Sequence, residues 1–207
     1  MAELEQDEGN VVGNFEDKYT STNPIARRLV SGFLDAAIEL YCRADPGGKT
    51  VLEVGCGEGE LATQLIRSRA PTPARYLATD VSLDAISSAI DPRIETQAAS
   101  IYELPFPANS FDVVVCCEVL EHLEKPHAGL AEIARVARSR VLLSTPWEPV
   151  WRAMNMARAK YLRDLGNTPG HIQHFSRRGL LDLAEGRLRI LEVRKPLPWT
   201  MLLGEPL

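Results

Sequence analysis

The chain has 207 residues, 45% of them hydrophobic and 6% aromatic, with a formal net charge of −5. That size and apolar content suit one domain with its own core, and no run approaches the roughly 18 apolar residues of a membrane span. The four cysteines (Cys42, Cys56, Cys116 and Cys117) include no C-x-x-C pair, which argues against a disulfide framework or a zinc cluster and for small buried thiols.

Residues 1–14 are acidic and nearly free of apolar side chains, and read as a disordered tail. Met1 to Asn10 lacks an apolar signal region, so a cytoplasmic location is expected. Residues 15–207 read as a single domain, of which 15–44 form N-terminal cap helices. Phe15 and Tyr19, four apart, suit a short helix. Asn23-Pro24 is a helix-start signal. Leu29, Val30, Phe33, Leu34, Ala37, Ile38 and Tyr41 then recur at helical spacing up to Tyr41. The Gly-Lys-Thr at 48–50 is no phosphate loop, because Arg43 stands where a glycine is needed and the run precedes its strand.

Val51 to Val54 suits a buried strand, and Gly55, Gly57 and Gly59 follow at alternate positions. Leu61, Ala62, Leu65 and Ile66 then return to helical spacing, giving strand, glycine turn and helix. Glycine allows a tight reversal through positive φ and close approach of a ligand to the backbone. The helix start directs amide N–H groups at whatever lies over the turn. Tyr76 to Asp80 reads as a second strand ending in an acid, placed to accept the hydroxyls of a ribose bound over the first turn. A structural glycine turn beside an unremarkable aspartate is the plain alternative. Glu53 beside the turn would repel a pyrophosphate and suits a ligand carrying an ammonium or sulfonium group.

The pattern from Glu53 to Gly59, E-x-G-x-G-x-G, resembles motif I of the class I S-adenosylmethionine-dependent methyltransferases, with Asp80 matching their ribose-binding acid. The resemblance implies an α/β fold: a Rossmann-like three-layer sandwich with a mostly parallel seven-stranded sheet and an antiparallel closing strand. It implies S-adenosylmethionine as cofactor, held by Glu53, Gly55, Cys56, Gly57, Asp80 and Val81 and lined by Ser100, Ile101 and Glu118. It also makes Tyr19 a candidate lid residue, against the plainer reading that it only packs.

Further along, Ser82 reads as the cap of a helix over 83–90, stopped by Asp91-Pro92. Residues 94–98 read as a third strand. The stretch from Ala99 to Phe106 resembles the third cofactor loop of the family, with Ser100 where an aspartate usually meets the adenine. Phe111 to Cys117 is a continuous buried strand of the central type. The run after it, Glu118-Val119-Leu120-Glu121-His122-Leu123, falls where open parallel sheets bind ligands. A helix is expected from Pro126 to Ala137 and a strand over 140–144. Residues 147–175 read as an insertion over the active site, helical over 147–165. Ser176 caps a last helix to Glu185. Two strands, 188–193 and 199–203, close the sheet. Residues 151–195 hold ten lysines or arginines against four acids, either a solvated face or one that meets an anionic substrate.

No nucleophile motif is present. The polar residues near the expected reaction centre are Glu118, Glu121 and His122, joined later by His171 and His174. On a helical turn Glu118 and Glu121 would face the same way. Glu118, Glu121, His122 and His171, with Phe175, Ser176 and Arg177 after, resemble the metal set of the small-RNA 3′-terminal 2′-O-methyltransferases. Ubiquinone-pathway O-methyltransferases show a similar Glu-x-x-Glu-His. Three readings stand: a Mg²⁺ or Mn²⁺ site, which is not the favoured one; His122 or His171 as proton acceptor; and structural hydrogen bonding. The function expected is O-methylation of a small metabolite or lipid precursor. The alternatives are metal-dependent RNA 2′-O-methylation and a non-catalytic cofactor- or partner-binding protein. A small-molecule acceptor is the partner expected; the sequence carries no signal for oligomeric state.

Overall fold

The computed structural model describes residues 6–7, 10–11, 23–86, 90–157 and 161–207. Tyr19 and Phe15 lie outside the described residues, as does most of the acidic tail. Within that tail β1 (Gln6–Asp7) pairs antiparallel with β2 (Asn10–Val11).

Helix α1 (Pro24–Ala44) starts where its sequence says: the Asn23 side chain accepts from the Ile25 and Ala26 amides, and Pro24 occupies the first turn. It runs past Tyr41 to Asp45, whose left-handed backbone ends it. There follow β3 (Thr50–Val54), α2 (Glu60–Arg67), β4 (Arg75–Asp80), β5 (Ile94–Ala98), β6 (Phe111–Cys117), α3 (Pro126–Val136) and β7 (Ala137–Pro146). The chain finishes with α4 (Glu148–Ala157), α5 (Arg177–Glu185), β8 (Leu188–Arg194) and β9 (Trp199–Pro206).

The seven strands order as β5-β4-β3-β6-β7-β9-β8. All neighbours are parallel except β9, which runs antiparallel to both β7 and β8. The chain direction of the connections changes side between β3 and β6, which opens a crevice at the strand tips there. Each central strand buries both faces. Val51, Val113, Val115, Cys117 and Leu142 pack under α1 and α2. Leu52, Val54, Val114, Cys116 and Leu143 pack under α3 and α5. The adjacent Cys116 and Cys117 thus point to opposite faces, and the four cysteines are free thiols. Among the described residues no helix is long and apolar enough to cross a membrane.

Two helix expectations are corrected. The stretch after Ser82 is only a 3₁₀ turn, Leu83–Ala85, with Ile86 already extended and no side-chain cap from Ser82; residues 87–89 lie outside the described set. Eight residues give too few hydrogen bonds to hold a helix without a packed face. Over 147–165 the α-helix is described over Glu148–Ala157, and residues 158–160 lie outside the described set. Leu162–Asp164 forms a separate 3₁₀ turn between left-handed Tyr161 and Leu165. Strand β7 is longer than its apolar run, starting at Ala137 directly after α3. Among the described residues, three cations of the basic segment meet carboxylates: Arg194 with Glu39 and Glu192, Arg189 with Glu205, Arg178 with Asp182.

Asp112 ties three strands at their starts. It accepts from the Thr50 amide (2.9 Å), the Thr50 hydroxyl (2.8 Å) and Arg138 (2.7 Å). Burial works against its charge, but these donors and the Arg138 cation hold its carboxyl below the usual range. Asp112→Ala should therefore cost about 1–3 kcal/mol in urea unfolding with an unchanged m-value. A loss below about 0.5 kcal/mol would show the tie to be dispensable.

Candidate active site at the strand tips

The tip of β3 is bound to β4 by its own backbone. The Gly55 and Cys56 amides both donate to the Thr79 carbonyl, at 2.8 and 2.9 Å. The Thr79 hydroxyl donates back to the Glu53 carbonyl at 2.9 Å. Gly55, Gly57 and Gly59 all hold positive φ (73°, 53° and 78°), which side chains resist. A Cβ on Gly55 would collide with Val119, and one on Gly59 with Ile90. Packing against Val119 thus excludes a side chain at Gly55, which lets the 118–122 segment sit against the turn.

Asp80 ends β4 and is 9% exposed. Its Oδ2 accepts from the Gly57 amide at 2.8 Å and its Oδ1 from the Ser82 amide at 3.3 Å. Each oxygen keeps lone-pair capacity for a further donor. The Ala99 amide donates to the Asp80 carbonyl, bringing the end of β5 beside it. Val81 follows, half-buried. At the β5 tip the Ser100 hydroxyl accepts from the Tyr102 amide (3.3 Å), and the Ile101 side chain is buried in the core. Ile101 therefore has its backbone, not its side chain, to offer at this tip.

Glu53 lies beneath the turn. It is 2% exposed and accepts a 2.6 Å hydrogen bond from the Tyr76 hydroxyl. Burial pushes its carboxyl up to about 7, opposed by the Tyr76 bond and reinforced by the Asp80 charge. Burial likewise raises the Cys56 thiol, with Glu53 and Asp80 adding to it, so that thiol is no nucleophile.

Past β6, Glu118 takes a left-handed backbone, φ 62°. Its carboxylate accepts from the Ser144 hydroxyl (2.8 Å) and the Trp199 indole (2.6 Å), binding the ends of β6, β7 and β9 together. It is thereby separated from the polar cluster that follows. Ligand atoms of Glu121, His122 and His171 lie within 4.8 Å of one another, and Glu118 is not among them. The 171–173 backbone is held to this turn by the Ile172 and Gln173 amides, which both donate to the Glu121 carbonyl. His122 Nδ1 lies 2.9 Å from the Gly170 carbonyl, and His171 Nδ1 lies 2.7 Å from Glu148. The Glu148 oxygen at Nδ1 of His171 leaves Nε2 as that ring's lone-pair nitrogen. His174 turns away to Asn167.

Sequence reading missed Glu148, Trp151 and Trp199. Trp151 stacks on His171 with centroids 6.0 Å apart, and Trp199 packs on Trp151 at 5.5 Å and on Phe33 at 5.0 Å. Glu148 sits two residues past β7. The rule that ligands gather at carboxyl ends of strands, applied to that strand too, would have found it.

Residues 52–144 match the methyltransferase domain family. The chain is 39% identical over 102 residues to a probable S-adenosylmethionine-dependent methyltransferase of Mycobacterium tuberculosis, covering 47% of this chain and 36% of that protein. It is 36% identical over 110 residues to a fatty-acid O-methyltransferase of Mycolicibacterium smegmatis (49% and 39%). It is 31% identical over 133 residues to a ubiquinone/menaquinone biosynthesis C-methyltransferase of Burkholderia mallei (59% and 54%). The chain thus spans 36% to 54% of the length of these curated relatives. The fold is similar to magnesium protoporphyrin IX methyltransferase of Synechocystis, with a TM-score of 0.64 over 90% of each chain at 17% identity.

The Glu53 carboxyl gives a pH test. Its folded pKa of about 7 lies above the ordinary 4.5, so folding favours the protonated form. The stability this provides is complete below pH 4.5 and is lost as pH rises to about 7. Urea unfolding should show up to about 3 kcal/mol of this loss in the wild type and none in Glu53→Gln. Parallel pH profiles for the two proteins would refute the assignment.

Proposed function

We propose that this chain, whose residues 52–144 are a methyltransferase domain, transfers the methyl group of S-adenosylmethionine to an oxygen of a small metabolite or lipid precursor. The observation that carries the reading is Asp80, fixed over the glycine turn by the Gly57 amide with acceptor capacity to spare. The residues present fit the cofactor. Asp80 would take the ribose hydroxyls, the Gly55–Gly59 turn would lie against the adenosyl group, and the Ser100 hydroxyl with the Ile101 backbone would meet the adenine edge. Glu53 acts indirectly, by supporting the turn from below. Relatives that match the same residues include a fatty-acid O-methyltransferase and a quinone-pathway C-methyltransferase. Oxygen is preferred here because His171, with Glu148 at its Nδ1, presents Nε2 as the basic nitrogen for a hydroxyl proton.

When bound, S-adenosylmethionine supplies an electrophilic methyl on a sulfonium centre. The protein's part is alignment and exclusion of water. The Glu121–His122–His171 cluster, against the turn through Val119 and Gly55, receives the acceptor oxygen. Nε2 of His122 or His171 takes the hydroxyl proton. Glu148 and the Gly170 carbonyl hold the two rings in the tautomer that carries its proton on Nδ1.

A second reading is favoured by the donor chemistry: two imidazoles and a carboxylate would hold a divalent ion, which would polarise the acceptor hydroxyl. Equilibrium dialysis with Mn²⁺ decides it. On the metal reading about one ion binds per chain, and Glu148→Gln weakens it roughly 10–100-fold. No stoichiometric binding by the wild type leaves the histidines as proton acceptors.

Calorimetry with S-adenosylmethionine tests the main reading. Asp80→Ala should lose at least about tenfold in affinity, the equivalent of one or two hydrogen bonds from ribose, while keeping its circular dichroism spectrum. Unchanged affinity would remove Asp80, and with it the reading.

A further inference from the structure

The stretch from Ala99 to Phe106, which carries Ser100 and Ile101, has no helix or strand of its own beyond a single bridge between Ser100 and Glu103. Its backbone groups therefore need partners from elsewhere. One side of α3 supplies them. Leu130, Ile133 and Val136 of that helix are buried against the sheet. Gly129, Glu132 and Arg135, at three-residue steps, form a neighbouring row.

All three members of that row meet the loop. Gly129 leaves room for Ile101: a Cβ there would lie 3.3 Å from that side chain and 2.7 Å from Leu123. Glu132 Oε2 accepts from the Leu104 amide at 3.0 Å. Arg135 donates to the Leu104 carbonyl at 2.9 Å and to the Phe106 carbonyl at 2.7 Å. The same guanidinium binds both oxygens of Glu132, at 2.6 and 2.7 Å. The amide and the carbonyl of Leu104 are thus gripped by one bidentate ion pair.

The other end of the loop is tied to the ribose acid. The Ala99 amide donates to the Asp80 carbonyl, and the Glu103 amide closes the turn onto the Ser100 carbonyl at 3.1 Å. Ser100 and Ile101 therefore stand between a fixed point at the tip of β4 and a clamp on α3. A shift at the clamp changes where they lie relative to Asp80.

Stability alone does not account for this pair. The Arg135 and Glu132 side chains are 36% and 21% exposed, a setting in which an ion pair adds little. Its donors go instead to loop carbonyls. The Arg135 bonds hold the Glu132 carboxyl below its usual range, against its burial and with help from the Leu104 amide. The clamp is therefore ionised at neutral pH.

We propose that Glu132 and Arg135 are positioning residues that set the nucleobase preference of the cofactor site, acting through Ser100 and Ile101 without touching the cofactor. The proposal rests on the S-adenosylmethionine reading and deepens it: adenine is recognised by a loop whose geometry α3 dictates. Lysine at 135 would keep the charge and lose the fork that reaches two carbonyls and a carboxylate at once.

The test compares two ligands by calorimetry on the full chain: S-adenosylhomocysteine and S-inosylhomocysteine, whose base carries an oxygen in place of the adenine amino group. The wild type should bind the adenosyl compound about tenfold or more tightly, as expected for one hydrogen bond to the base. Arg135→Lys and Arg135→Met should each lower S-adenosylhomocysteine affinity about three- to tenfold and bring the ratio of the two affinities toward one. Arg135→Lys, which keeps the charge, carries the test if Arg135→Met does not fold. Glu132→Gln keeps an acceptor for the Leu104 amide and should fall between the wild type and Arg135→Lys. Arg75→Gln, which breaks an exposed pair with Glu95 away from the clamp, should leave the ratio as in the wild type.

A merely structural pair would weaken both ligands in parallel and keep their ratio, and that result overturns the proposal. So does a wild type that binds both ligands equally, or an Arg135→Lys variant with the wild-type ratio. A wild type that binds neither ligand removes the cofactor reading itself, and this proposal with it.

Discussion

The closure of the β3 tip onto β4 is the constraint from which the site follows. One carbonyl, that of Thr79, accepts from two successive amides, Gly55 and Cys56. The residue after it is Asp80, whose carboxylate then has the Gly57 amide as its near partner. The glycine turn and the acid are therefore one unit, set by the parallel register of β3 and β4. Moving either strand by a residue would send Asp80 to the other face of the sheet. The left-handed glycines make the turn tight enough for this closure, and the lack of a side chain at Gly55 admits Val119. Through Val119 the same turn locates Glu121 and His122.

The Glu121–His122–His171 cluster is built differently. It comes from segments that arrive from several places and are joined by hydrogen bonds and ring contacts. Glu148 follows β7, His171 follows the turn after α4, and Trp199 opens β9. The pairing of the 172–173 amides with the Glu121 carbonyl brings the two histidines together. The Trp199 indole fixes Glu118 across a sequence separation of 81 residues. A strand-tip crevice defined by local backbone and a polar cluster assembled from distant segments can change independently, which lets one fold carry different sites.

This division explains what the sequence revealed. The turn from Glu53 to Gly59 and the acid at Asp80 were legible because their chemistry is contained in short stretches: strand, turn, strand. Buried strands such as Phe111–Cys117 were legible because both faces are apolar. The helices over 83–90 and 147–165 were over-read, since periodicity in a short run reports a pattern and not the packing that would sustain it. Glu118 was grouped with Glu121 on the assumption of a helical turn. Its left-handed backbone breaks that geometry and sends its carboxylate to Trp199 instead. Glu148, Trp151 and Trp199 carry no local motif. Their roles exist only once the chain is folded.

The central claim is that an adenosyl group lies over the β3 tip with its ribose on Asp80. Amide chemical shifts in a ¹⁵N-labelled sample titrated with S-adenosylhomocysteine test it most directly. The account predicts that the amides of Gly57 and Ser82, which donate to Asp80, shift first and furthest, together with that of Ile101. Saturable binding that leaves those amides unmoved and shifts others would contradict it.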